Sequence, residues 1–158
     1  MEFDELTRTL GERLGLGELT VDETGAVALT FDDMPVALRH EADKGRVLLA
    51  GEVGQPPERG AEAFESMKLT ANGLFDGTGG ATLGKDPDGQ CYALCRSERL
   101  EGLTFEAFWD VLGGFVGLLG EWRERLEDFR RIGPAVESRR AERDAAEVKG
   151  PEDGMIKV

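Results

Sequence analysis

The chain is poor in the residues that do covalent chemistry. It has one histidine, two cysteines and one tyrosine in 158 residues. Any Ser-His-Asp or Cys-His nucleophilic site would have to use His40, which sits between Arg39 and Glu41 in an expected strand, a setting that reads as a solvated face. Cys91 and Cys95 lack Cys-x-x-Cys spacing and there is no second histidine, so no zinc or other metal site is expected. On one strand the two thiols would lie roughly 13 Å apart at about 3.3 Å per residue. That is too far for a disulfide, and they read as two small buried apolar residues. No catalytic residue and no cofactor is expected.

Long apolar runs are also missing. The longest, Val111 to Leu119, contains three glycines and falls well short of the ~20 residues that span a bilayer. The N-terminus, Met1-Glu2-Phe3-Asp4-Glu5, is acidic where a secretory leader would be basic and then apolar, so a cytoplasmic location is expected. Basic residues are scarce too, 19 against 32 acidic ones, for a net charge of −13. Such a surface repels nucleic acid and anionic membranes, and it favours partners with basic segments.

One stretch resembles a phosphate-binding loop. Gly79, four intervening residues, then Gly84-Lys85 has that spacing, but Asp86 stands where Ser or Thr would hold Mg²⁺. The residues that follow, Pro87-Asp88-Gly89 and then Cys91 to Cys95, read as a turn and a strand rather than a helix. The expectation is a hairpin over 81–97. A nucleotide-binding enzyme using Gly79–Lys85 is the remote alternative.

What is present is a helix–strand pattern. Phe3, Leu6, Leu10 and Leu14 recur at three- and four-residue steps, which predicts a helix over 3–14 ended by Gly15 and Gly17. Leu19 and Val21 alternate with polar neighbours, as do Val27, Leu29 and Phe31, so each group reads as a strand. Val36, Leu38 and His40 continue in extended form. Val47 to Ala50 is apolar on both faces, the pattern of a central strand or of one covered on both sides. Pro56-Pro57 is expected to open a second helix bearing Phe64, Met67, Ala71 and Leu74 on its apolar face. After the hairpin, Thr104 caps a long helix whose stripe runs from Phe105 through Phe108, Leu112, Phe115 or Val116, Leu119, Trp122 and Leu126 to Phe129. Gly113, Gly114, Gly117 and Gly120 weaken that helix, each by about 1 kcal/mol relative to Ala. They mark either close packing of another backbone or structural drift.

The fold class is therefore α+β, an antiparallel β-sheet flanked by helices in the order α-β-β-β(-β)-α-β-β-α. Residues 1–130 form the domain, and 131–158 form a charged tail. The tail carries six basic and six acidic side chains, so the whole net charge of −13 belongs to residues 1–130. Its helix is expected to continue to Ala146 and to give way to a flexible Gly-Pro stretch.

This order, with four stretches, resembles the small acidic type III secretion chaperones of the Tir-chaperone (CesT-like) family. The stretches are Leu10 to Leu16, Leu29 to Asp33, Ala71-Asn72-Gly73-Leu74-Phe75-Asp76-Gly77-Thr78-Gly79-Gly80-Ala81-Thr82-Leu83-Gly84, and Phe115-Val116 with Glu121-Trp122-Arg123. The resemblance covers roughly residues 3–130. It implies a non-enzymatic homodimer that binds the N-terminal region of a secreted effector in extended form. The client is kept from folding or aggregating and is presented for export, with the export ATPase as a further candidate partner. It also implies that the second helix and following strand form the dimer interface, which points to Phe64, Met67, Leu74, Phe75 and Leu83. The first helix and neighbouring strands would form the client grooves, with Leu6, Leu10, Leu14, Leu29, Phe31 and Leu38 as candidates. Each of these residues also suits plain core. A chaperone-fold adaptor or regulator without a secretion client is the alternative reading.

Overall fold

A computed structural model describes residues 1–132 and 139. Three helices and five strands follow one another as α1 (Phe3–Leu14), β1 (Ala26–Phe31), β2 (Met34–Glu41), β3 (Arg46–Gly54), α2 (Ala61–Asn72), β4 (Thr82–Lys85), β5 (Tyr92–Arg99) and α3 (Phe105–Ile132). The strands form one sheet in the order β1-β2-β3-β5-β4, with every neighbouring pair antiparallel. The doubly apolar segment Val47 to Ala50 lies in β3, the middle strand, as its composition predicts.

Alternation along the strands sends one set of side chains toward the helices. Val27, Leu29, Val36, Leu38, Val47, Leu49, Val53, Leu83, Tyr92 and Leu94 are all buried. Helix α1 adds Phe3, Leu6 and Leu10, and α3 adds a stripe from Phe108 to Phe129. Close approach replaces bulk at Gly51, where a Cβ would stand 2.4 Å from Leu119 Cδ2. The tip of the β1–β2 hairpin is Asp32-Asp33, both in the left-handed region (φ 45° and 65°) as a two-residue primed turn requires. The Thr104 cap is present, since its Oγ1 accepts from the Ala107 N–H at 3.2 Å.

Three local expectations differ from the structure. Leu19 and Val21 are not in a strand. The loop folds back over α1 instead, so tightly that a Cβ on Gly11 would meet Gly17 O at 1.9 Å. Helix α2 begins at Ala61, not at Pro56-Pro57, because β3 runs on to Gly54 and the prolines lie in the crossover; Gly60, at φ 76°, turns the chain into the helix. Cys91 lies in the hairpin loop and Cys95 in β5, and both are half-buried free thiols rather than core residues. The helix glycines are also not used for close packing within the chain. Gly113, Gly114 and Gly117 face open space, and only Gly120 has a near neighbour, Met34 Sδ at 3.7 Å. The expected helix extension to Ala146 and the flexible end of the tail fall outside the described residues.

Candidate functional site

The two edges of the sheet differ. On β4, the outward backbone groups of Leu83 are taken by the Asn72 side chain. Its amide donates to Leu83 O at 2.9 Å, and its oxygen accepts from Leu83 N–H at 2.8 Å. This mimics a further strand at Leu83 and blunts that short edge. On β1, Val27, Leu29 and Phe31 face their partners in β2, and Ala26 is held from outside by Asp22. Ala28 and Thr30 lie between them, so their N–H and C=O groups point away from the sheet. Thr30 stands opposite Pro35, which has no N–H to offer. Among the described residues no strand covers this side. The β1 edge is an open row of main-chain donors and acceptors.

Its surroundings are apolar and acidic. Leu16 and Val21, 60% and 41% exposed, stand out in the loop before β1. Glu18, Asp22, Glu23, Asp32 and Asp33 are exposed in the same loop and in the turn that follows the strand. Hydrogen bonds from the Thr24 hydroxyl, then from the Ala26 and Thr24 N–H groups, hold the Asp22 carboxyl below its ordinary range. The loop beside the edge is thus ordered by its own charge.

The second notable surface is where α2 turns into β4. Leu74 and Phe75 follow α2 in a short 3-10 turn, both in the left-handed region (φ 56° and 59°). Bulky residues rarely hold that backbone. Their side chains are 89% and 52% exposed, and Leu69, one helical turn earlier, is 71% exposed. With Leu16 and Val21 these are the large apolar residues left exposed among the described residues.

Earlier on α2 lies a polar cluster. Lys68 is buried, with Nζ 2.8 Å from Glu65 Oε2 and 4.0 Å from the Tyr92 ring centroid. Lys85 approaches Glu65 from β4 at 3.4 Å. Burial, with the nearby Glu65 carboxylate, pushes the Tyr92 hydroxyl up to about 12. For Glu65 itself burial acts upward, but Lys68, Tyr92 and Lys85 together hold it below the ordinary 4.5. A carboxylate depressed in the folded state stabilises the fold above its unfolded pKa, and that contribution is lost as pH falls through the folded value. Wild type should therefore melt several degrees above Glu65→Gln at pH 7, and the gap should shrink below about pH 4.5. Thermal melts at both pH values check this.

The structure divides the sequence candidates. Leu6, Leu10, Leu29 and Leu38 are buried in the core; Leu14 and Phe31 are half-buried at its rim. Phe64 and Leu83 are buried, Met67 is half-buried, and Leu74 with Phe75 is exposed. Sequence reasoning missed Leu69, which stands off the apolar face of α2, and Leu16, which looked like part of a helix stop. It also missed Asn72 as the clamp on β4. The only signal for that was an Asn at the end of a helix.

The phosphate-loop spacing has no matching geometry. Gly84 and Lys85 lie in β4, and the hairpin loop follows, so no helix begins after Lys85. Among the described residues no cluster of His, Cys, Asp and Glu is placed to hold a metal ion, and no helix is long and apolar enough to cross a membrane.

The sequence model of the Tir chaperone protein (CesT) family matches residues 5–123. The chain belongs to this family. The match takes in every element from α1 to most of α3, including both edges and the exposed turn. The CesT family is one of chaperones, not of enzymes. Among solved structures, this CesT-family chain is similar to one in the ExsC–ExsE complex, with TM-score 0.68 and 24% identity over 80% of this chain and 97% of that one. It is also similar to a chain in the HopA1–SchA chaperone–effector complex, with TM-score 0.64 and 20% identity over 77% and 93%. A third likeness is to the heterodimeric ExoU–SpcU complex of the Pseudomonas aeruginosa type III secretion system, with TM-score 0.57 and 18% identity over 79% and 94%. No curated protein sequence matches the chain.

Proposed function

We propose that this CesT-family chain is a cytoplasmic, homodimeric chaperone for a type III secretion substrate, and that it holds the N-terminal region of that client in extended form at the β1 edge. The open main-chain groups of Ala28 and Thr30 carry this reading. An extended peptide gains main-chain hydrogen bonds there, and alternate side chains reach the apolar groups beside the strand. The other edge is short and clamped at Leu83 by Asn72, so β1 offers the longer open row for strand addition. The acidic residues around β1 favour a client segment rich in Lys and Arg. Strand addition keeps the client segment from folding or self-pairing before export. The described neighbours include chaperone–effector pairs, which supports an effector as the partner. Contact with the export ATPase is a further part of this reading.

The test is capture of the tagged chain from the cytosol of secretion-competent cells, followed by limited proteolysis. The expected result is one stoichiometric secreted protein protected over a stretch near its N-terminus. Protection of a folded internal domain, or no stoichiometric partner, would sink the reading in favour of an adaptor without a client.

A further inference from the structure

We infer that the face of the sheet turned away from the helices is a second docking surface, and that its occupant is an amphipathic helix of another protein with an acidic flank. This goes beyond the client proposed for β1 and does not depend on it, because the two surfaces favour opposite charge.

All three helices lie on one face of the sheet. Phe3 of α1 stacks on His40 of β2 at 4.7 Å, and Phe64 of α2 stacks on Tyr92 of β5 at 5.1 Å. On α3, Leu119 comes so close to Gly51 of β3 that a Cβ there would not fit. The alternate residues of each strand point the other way. The registers align these outward residues into rows across the sheet. Ala28, Ala37, Ala50, Cys95 and Thr82 stand side by side on successive strands. All five are small, so the row is a shallow trough, roughly 19 Å long at about 4.8 Å between strands. Its middle members Ala37, Ala50 and Cys95 are only half-buried. An extended segment lying across this face finds no main-chain partners, since strands pair edge to edge. A helix bonds its own main chain and covers sheet faces in this class of fold.

Charge sets the chemistry of the occupant. On one side of the trough, Arg39 adjoins Leu48 in the next row, and Arg46 stands directly opposite Arg99 in the row after it. Like charges opposite one another on neighbouring strands repel. One carboxylate shares these rows, Glu41, and it already accepts from Arg46 and Lys44. Asp43 and Glu101 lie beyond the strand ends, in the turns. Arg39 and Arg99 are exposed, and among the described residues neither is in an ion pair. In a chain of 32 acidic and 19 basic residues, this is a local excess of positive charge. Burial pushes the Cys95 thiol up, and the Arg39 charge, from two strands away, opposes that shift. Arg39 is thus close enough to act on the trough floor. The row on the other side, from Glu52 through Ala93 to Gly84, has a single charge. A helix in the trough lays its apolar face on the alanines and turns its carboxylates toward the arginines. A basic segment meets like charge there.

The probe is a synthetic helical peptide of Leu, Ala and Glu, about four turns long, with its Glu residues along one flank. Fluorescence anisotropy at low salt is expected to show that it binds the wild-type chain despite the net charge. Arg39→Glu combined with Arg99→Glu should raise the dissociation constant by about tenfold or more. Arg8→Glu combined with Arg13→Glu, on α1, gives the same net charge and should leave binding unchanged. All four arginines are exposed, so both variants should fold as wild type does. In a Cys91→Ser background Cys95 is the remaining thiol, and bound peptide should slow its alkylation several-fold because it lies on the trough floor. No binding, equal losses in the two charge variants, or binding that leaves Cys95 unprotected would each overturn the inference. So would protection of Cys95 by the same peptide with Lys in place of Glu, since the trough would then be a further surface for the basic client.

Discussion

Replacing Phe64 by Ala should destabilise the protomer by about 3–5 kcal/mol. The ring is fully buried, and it packs against three others. It stacks on Tyr92 with centroids 5.1 Å apart and meets Phe129 and Trp122 edge-on at 5.4 and 6.2 Å. These partners come from α3 and β5, so one side chain ties α2 to both the sheet and the long helix. Domains of this size are stable by only about 5–15 kcal/mol, and the loss would leave a thin margin. In a urea titration at fixed protomer concentration the midpoint should fall sharply with the slope unchanged. Leu74→Ala is the contrast. That side chain is 89% exposed, so the protomer should change by no more than about 0.5 kcal/mol. The two substitutions lie ten residues apart on what the sequence presents as one interface. Comparable losses in both, at a dilution where the chain is monomeric, would mean that Leu74 is packed in the protomer.

The contrast between Phe64 and Leu74 also marks how far the sequence could be read. Periodicity reports which residues avoid water, not which surface removes them from it. Leu6, Leu10, Leu29 and Leu38 satisfy the same pattern whether they fill a core or line a groove, and the structure buries all four. Element order and the central place of β3 were legible, because strand alternation and turn residues are local signals. Helix α2 was misplaced at its start, since Pro56-Pro57 suits a first helical turn as well as a crossover. The strand expected at Leu19 and Val21 failed for a tertiary reason: the loop packs on Gly11, and Asp22 ends it with its own hydrogen bonds. Which edge of the sheet is open was not legible at all. It depends on an Asn72 side chain reaching Leu83, eleven residues on. The left-handed backbone at Leu74 and Phe75 was equally invisible, because both residue types argue against it.

Thr30→Pro should cut client binding by roughly 30- to 150-fold while leaving the protomer folded. Thr30 directs its N–H outward from the edge strand, and across the sheet it faces Pro35, which donates nothing. Proline is tolerated at an edge where the missing N–H faces solvent. Leu29, the residue before it, is already extended, as a residue preceding proline must be. The native ladder therefore loses no bond. A client strand added at this edge loses one main-chain hydrogen bond and meets the pyrrolidine ring where its own backbone should lie. Ala28→Pro, two residues back on the same edge, should act alike. Binding measured by calorimetry against the purified client N-terminal segment decides the point, with circular dichroism to verify the fold. Unchanged affinity in both variants would mean that the client docks through side-chain grooves alone. The open edge of β1 would then be guarded by its acidic neighbours rather than used.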